Sequence, residues 1–418
     1  MICERHFIRV ANGKLKKTIT LLDATAIGVG AIVGAGIFVV LGVATGLAGP
    51  AVVASIVIAG AAATLTALSF VRLSKATQRE GGAYEFARAL LPPFWAFLTG
   101  FLWLASNVVA GATVALGFSL YLSTIFPGLP AVPFAALACL VAAAINYSGT
   151  KRSVLLNNTL VAAKIIILLF FVLAGFLFFK AGNFLGFGSA SLEGVLSGAA
   201  IIFFAYGGFA RITVVSEEVK NAKRNVPRAI MLALAVSTVL YILVAIAAVG
   251  LGGSASTSGA FLASSISSTG IPYAALIISL GALAATASVL LVTVMGVSRV
   301  AFAMARNNDA PKAFSAVDSK SGVPRNAVLA AGVASALLAL LGNLALVASV
   351  SSFAMLAYYA VANYSALKLE AKPSSKAVSA AGLASCLVLV AFLSPQSLAI
   401  GVFAVFCGSV YYFFRKKS

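Results

Sequence analysis

Runs of about 20 apolar residues follow one another along nearly the whole chain, and this limits the fold more than any other feature. A run of that length matches the hydrocarbon core of a bilayer when it is helical. Lipid offers the backbone no hydrogen bonds, so each run must satisfy its own N–H and C=O groups as an α-helix. Of the 418 residues 61% are hydrophobic and only 9% are charged, which leaves no soluble domain to assign. Twelve runs can be marked, near 21–48, 51–74, 94–125, 130–147, 154–179, 193–218, 228–251, 272–304, 326–343, 345–366, 377–394 and 396–414. The expectation is an all-α polytopic membrane protein of about 12 transmembrane helices, with the lipid bilayer as its solvent.

A net charge of +19 invites a nucleic-acid reading, but the positions of the basic residues argue against one. Of the 29 Lys and Arg, 26 fall in loops on one side of the expected membrane, including Arg72, Arg88, Arg299, Arg306 and Arg325, whereas the opposite loops hold only Lys180. That asymmetry is the positive-inside pattern. It places both termini in the cytoplasm and the protein in the cell membrane, with no nucleic-acid partner. Residues 1–20 read as a basic cytoplasmic tail rather than a signal peptide. The four cysteines, Cys3, Cys139, Cys386 and Cys407, show neither metal-ligand spacing nor pairing. His6, the single histidine, lies in the tail. Metal catalysis and serine–histidine hydrolysis therefore lack their parts. No catalytic residue, metal or cofactor is assigned, and the protein reads as no enzyme. Asp23 sits where it would cap the first helix. The carboxylates Glu85, Glu217, Glu218, Asp309 and Asp318 fall at cytoplasmic ends, where salt links to basic loops are expected.

Two segments depart from plain helix. GVGAIVGAGIF, residues 28–38, repeats glycine at Gly28, Gly30, Gly34 and Gly36. Taken alone, it fits either a close helix–helix seam or a helix broken midway, with bare backbone offered to a small ligand. FFAYGGFARI, residues 203–212, interrupts the sixth run at Gly207 and Gly208. The two interruptions stand five segments apart. A broken helix in each of two five-span halves points to an inverted-repeat transporter, with its site where the breaks meet. The halves are residues 21–180 and 192–367, and residues 377–414 form two additional helices.

Lys164 lies about ten residues into the fifth run, roughly 15 Å below the membrane surface and too deep to snorkel. An ionisable group at that depth marks a functional cavity, and this one suits proton loading and release. The alternative is a structural lysine bonded to loose carbonyls. Arg211 lies just beyond the second interruption. It reads as lining a water-filled vestibule, with contact to an anionic group as the alternative.

These residues together resemble the amino acid–polyamine–organocation superfamily, in particular its prokaryotic amino acid permeases. The resemblance is carried by GVGAIVGAGIF, by FFAYGGFARITVVSEEVKNAKRNVPRAI at 203–230, by EGGAYEFARALL at 80–91 as a loop entering the third span, and by SRVAFAMARNNDAPKAF at 298–314. It covers about the first 370 residues. It implies a five-plus-five inverted repeat like that of leucine-type transporters, with broken helices 1 and 6. It further implies that the substrate α-carboxylate sits on amides of Ala35 and Gly36, and the α-ammonium on carbonyls of Ile32, Phe204, Ala205 and Gly207. Phe204 and Tyr206 would gate the site. Lys164 is similar to a lysine of proton-coupled members, where the ammonium faces a carbonyl, here Gly30, and hydroxyls, here Thr286 or Ser288. Many relatives carry glutamate where this chain has Ala210, which puts more of the coupling on Lys164.

The function expected is proton-coupled symport of neutral amino acids over a broad range by alternating access, with amino acid and proton as the partners. An exchanger or facilitator with a structural Lys164 is the rival reading, and a non-transporting amino acid sensor stands behind it.

Overall fold

The computed structural model describes residues 17–34, 36–77, 79, 81–126, 128–252, 260–341 and 344–417. The expected tail lies almost wholly outside them. Sixteen α-helices form the described chain: α1 (Leu21–Ile32), α2 (Leu41–Ala48), α3 (Val52–Ala76), α4 (Ala83–Leu90), α5 (Pro93–Ile125), α6 (Ala131–Tyr147), α7 (Thr150–Leu177) and α8 (Leu192–Tyr206), then α9 (Ala210–Val214), α10 (Ala222–Gly250), α11 (Phe261–Ser267), α12 (Ala274–Arg306), α13 (Arg325–Ala339), α14 (Leu344–Leu369), α15 (Pro373–Ala391) and α16 (Pro395–Lys417). Each of the twelve apolar runs contains a helix. The first run is α1 plus α2, and the sixth is α8 plus α9. The chain is a multi-pass, all-helical membrane protein.

Local chemistry sets the helix ends. Thr20 is the N-cap of α1, and the Asp23 backbone N–H donates to its hydroxyl at 3.3 Å while the Thr20 N–H donates to the Asp23 carboxylate at 2.9 Å. This is a reciprocal capping box, so Asp23 works from the third helical position rather than as the cap itself. Proline opens α5 and α15, where a missing N–H costs nothing. Two features differ from the sequence reading. Residues 80–91 contain the helix α4 rather than a plain loop; Gly81 and Gly82 adopt φ of 119° and 55° to turn the chain into it. The fifth run starts at Thr150 rather than 154, which puts Lys164 at the midpoint of α7.

The broken helices are innermost. About 71% of the first span and 78% of the sixth are buried, against 22% and 17% for α15 and α16. The long helices α5 and α12 pack on each other, and α12 also packs on α1 and α9, while α15 covers α3 and α14, and α16 covers α14 and α5. Lipid-facing leucine and isoleucine, such as Ile166 and Leu173 on α7, remain exposed as a bilayer requires. At the basic end the chain just before α1 pairs with the turn after α9: the Ile19 N–H donates to Glu218 O at 3.0 Å, and the Lys220 N–H to Ile19 O at 2.8 Å.

Candidate functional site

Helix α1 stops at Ile32. Val33 takes φ −77° and ψ 83°, outside helical space, and a five-residue π-turn, Gly36–Val40, restarts the helix into α2. The sixth span changes direction more gently: a 3₁₀ turn over Gly207–Phe209 links α8 to α9, so the glycines tighten the helix there instead of opening it. The two breaks touch. A methyl group on Gly208 would lie 2.4 Å from the Ala31 carbonyl carbon and 2.5 Å from Ile32 N, and one on Gly36 would lie 2.2 Å from Ala205 Cβ. Glycine is required at both places because backbone has no room to retreat.

A small cavity sits at this junction, lined by Ile32 and Gly36 from the first span, Phe204, Ala205 and Arg211 from the sixth, and Met355 from α14. Four of the six residues expected at the substrate site therefore come together there. Ala35 lies outside the described residues. Gly207 sits behind the cavity, against the Met355 sulfur, with its carbonyl accepting from the Tyr359 hydroxyl at 2.6 Å. Tyr206 does not reach the cavity either: its ring packs beside Tyr241 and its hydroxyl reaches towards Ile56 O at 3.5 Å. Its expected gating position is thus not where the side chain lies, because the residue points from α8 towards α3.

The carbonyls at the junction already have donors. Ile32 O accepts from the Tyr241 hydroxyl at 2.5 Å, and Phe204 O accepts from the Gly207 N–H. Tyr241 and Tyr359 were not found from the sequence. The signal available was a tyrosine inside an apolar run, whose hydroxyl must reach a polar partner.

Lys164 is fully buried on α7. Its ammonium donates to Gly30 O at 2.8 Å, on the last turns of α1, and to Ser288 Oγ at 2.7 Å, on α12. Thr286 belongs elsewhere: its hydroxyl donates to Ala282 O at 2.7 Å within its own helix. Of the two hydroxyls expected at the lysine, the structure places Ser288. Arg211 is 6% exposed, and its Nη2 donates to Asn107 Oδ1 at 3.1 Å. A cavity wall shared with Ile32 and Phe204 replaces the vestibule expected for it.

The basic end carries the opposite chemistry. Arg299, expected in a loop, is buried within α12 and pairs with Glu218 at 2.9 Å while donating to the Thr150 hydroxyl at 2.8 Å. Arg306 pairs with Glu217 at 2.8 Å, Arg88 with Asp309 at 3.4 Å, and Arg325 with Asp318 at 3.0 Å. Burial pushes the Glu85 carboxyl up, against the pull of Arg306 and a hydrogen bond from Asn307.

A helical membrane bundle in which two interrupted helices meet around a small cavity is the architecture of a membrane transporter. The chain belongs to the amino acid permease family, which matches residues 19–414. It is 33% identical over 412 residues to an uncharacterized transporter of Mycobacterium tuberculosis, covering 96% of this chain and 92% of the relative. It is 33% identical to the methylthioribose transporter of Bacillus subtilis, over 87% of this chain and 83% of that one. With cationic amino acid transporter 4 of Mus musculus it shares 34% identity, over 83% of this chain and 59% of the relative. The chain is an amino acid transporter of the amino acid–polyamine–organocation superfamily and not an enzyme.

Proposed function

We propose that this protein is a proton-coupled symporter of neutral amino acids, broad in range, working by alternating access. It would sit in the cell membrane with both termini in the cytoplasm, as two inverted five-span halves (21–180 and 192–367) plus α15 and α16. The observation that carries the coupling is the Lys164 ammonium, which bridges the broken first span to α12 with no carboxylate paired to it among the described residues. Hydrogen bonds to a charged donor are worth about 1.5–3 kcal/mol each. Two of them are comparable to the several kcal/mol that burying an unpaired ion costs. A shift of Gly30 O or Ser288 Oγ away from the ammonium removes bonds that hold the charged form and so favours release of the proton.

The cycle follows from the contacts. Substrate seats on the break, with its α-carboxylate on the amides at Ala35 and Gly36 and its α-ammonium on the carbonyls of Ile32, Phe204 and Ala205. It would share or displace the tyrosine hydroxyl now on Ile32. Phe204, on the cavity wall, closes over it. Loss of the proton from Lys164 frees Gly30, loosens α1 from α12 and couples substrate release to proton release.

Substrate charge follows from the same groups. Some relatives are named for cationic amino acids, but the cavity of this chain is lined by Arg211, and Lys164 bonds Gly30 and Ser288, the chain neighbours of the lining residues Ala31 and Val289; no described carboxylate pairs with either cation. Like charges about 5 Å apart repel by roughly 3 kcal/mol at an effective dielectric constant of 20. Cationic side chains are disfavoured by that margin.

The test is uptake into proteoliposomes driven by an inward proton gradient. Lys164→Ala should lose gradient-driven accumulation, about tenfold or more, while retaining counterflow exchange. Uptake by the variant at the wild-type rate would sink the proton role and leave an exchanger or facilitator with a structural lysine.

A further inference from the structure

Arg211 is the charged group that the proton cycle does not use. Its side chain lines the cavity and is 94% buried, being 6% exposed. Nη2 is held by Asn107 Oδ1 at 3.1 Å, but Nη1 is buried and has no hydrogen-bond partner among the described residues. The Asn107 amide nitrogen donates to Trp103 O at 2.9 Å, which fixes the carboxamide with its oxygen towards the guanidinium. Other buried or half-buried arginines of this chain, Arg72, Arg299 and Arg306, each meet a glutamate. Arg211 meets a neutral amide and contributes to the cavity wall.

A guanidinium presents its donors as a rigid fork that matches a carboxylate in both shape and charge. A neutral amino acid brings an α-carboxylate and an α-ammonium, and the reading above seats both on backbone groups of the two breaks. Such a ligand has no net charge and leaves Nη1 without an acceptor. A second carboxylate would answer both deficits at once. We propose that Arg211 is a specificity-determining residue that takes the side-chain carboxylate of an acidic amino acid, so that dicarboxylic amino acids bind this site more tightly than their neutral isosteres. This inference rests on the reading of the cavity as an amino acid site and, within the broad range proposed, moves its preference from neutral to acidic side chains. Asn107 is a positioning residue that holds the guanidinium fork towards the cavity.

The experiment compares acid and amide pairs of equal size. Purified full-length protein is titrated with L-glutamate, L-glutamine, L-aspartate and L-asparagine, and the shift in Tm is read as an apparent Kd. Each acid should bind about tenfold or more tightly than its amide, the advantage expected of a hydrogen bond to a charged group. In Arg211→Met that ratio should collapse to about one. Arg211→Lys, which keeps the charge but not the fork, should lower it part of the way. Amides binding wild-type protein as tightly as acids would overturn the proposal, and so would an unchanged ratio in either variant. Equal weakening of acids and amides in Arg211→Met would also overturn it, because the guanidinium would then meet a group common to both. Should Arg211→Met fail to fold, the wild-type ratio and Arg211→Lys still decide. A protein stabilised by no amino acid, and taking up none, would fail the amino acid reading itself. Stabilisation by amides without preference for acids fails the Arg211 inference alone.

Discussion

Cations occur in two settings in this molecule, and the contrast separates holding from working. At the basic end, arginines reach carboxylates: Arg299 with Glu218, Arg306 with Glu217, Arg88 with Asp309, Arg325 with Asp318. At mid-depth, Lys164 and Arg211 are buried like Arg299 but are bonded to one carbonyl, one hydroxyl and one amide. Pairing neutralises a charge and fixes the helices that carry it. A buried cation without a carboxylate is expensive, which is why Lys164 and Arg211 are the two groups to which the proposals above assign work.

The largest effect should come from breaking the innermost pair. Arg299→Met should destabilise the protein by about 3–5 kcal/mol, because it leaves the Glu218 carboxylate buried and uncompensated. Adding Glu218→Leu should recover most of that loss, since an apolar replacement of a whole buried pair is often near neutral. Thermal unfolding in detergent of the single and double variants checks both. If the single variant is as stable as wild type, the pair is no lock and the contrast fails. Lys164→Met should behave in the opposite way, changing stability by no more than about 1 kcal/mol in either direction while removing proton coupling. Ser288 keeps a bond to Ala285 O at 2.9 Å when the ammonium is gone, so little is orphaned. A loss near that of Arg299→Met would make Lys164 structural. The smallest effect belongs to Arg306→Gln. Its pair with Glu217 is about a quarter exposed, and a change of roughly 0.5–1 kcal/mol is expected, weakening further in high salt. A salt-independent loss above about 2 kcal/mol would place that pair with the inner one.

Much of the architecture was legible because lipid enforces a simple rule, that every run of some 20 apolar residues must close its own backbone. Glycine spacing marked the breaks, and depth along a helix marked Lys164. The partners were less legible. Nothing near residue 241 in the sequence says that its hydroxyl caps Ile32, or that Asn107 orients Arg211, since those contacts join residues more than 100 positions apart. Tyr206 and Thr286 were misplaced for a related reason: spacing gives the helix, but the rotation of a helix about its axis is set by packing. Arg299 was assigned to a loop because a charge near the end of a run usually lies outside it, and the Glu218 partner that permits its burial comes from another helix end.

The short backbone pairing at the basic end has a consequence for timing. The Ile19 N–H donates to Glu218 O and the Lys220 N–H donates to Ile19 O, across the start of the first span and the turn after the sixth. Those amides are protected from solvent deuterium only while the two broken helices are stitched together on that side. Their exchange rate is therefore a clock for excursions of the basic end away from its closed arrangement. It can be read without substrate, and separately from the protonation of Lys164.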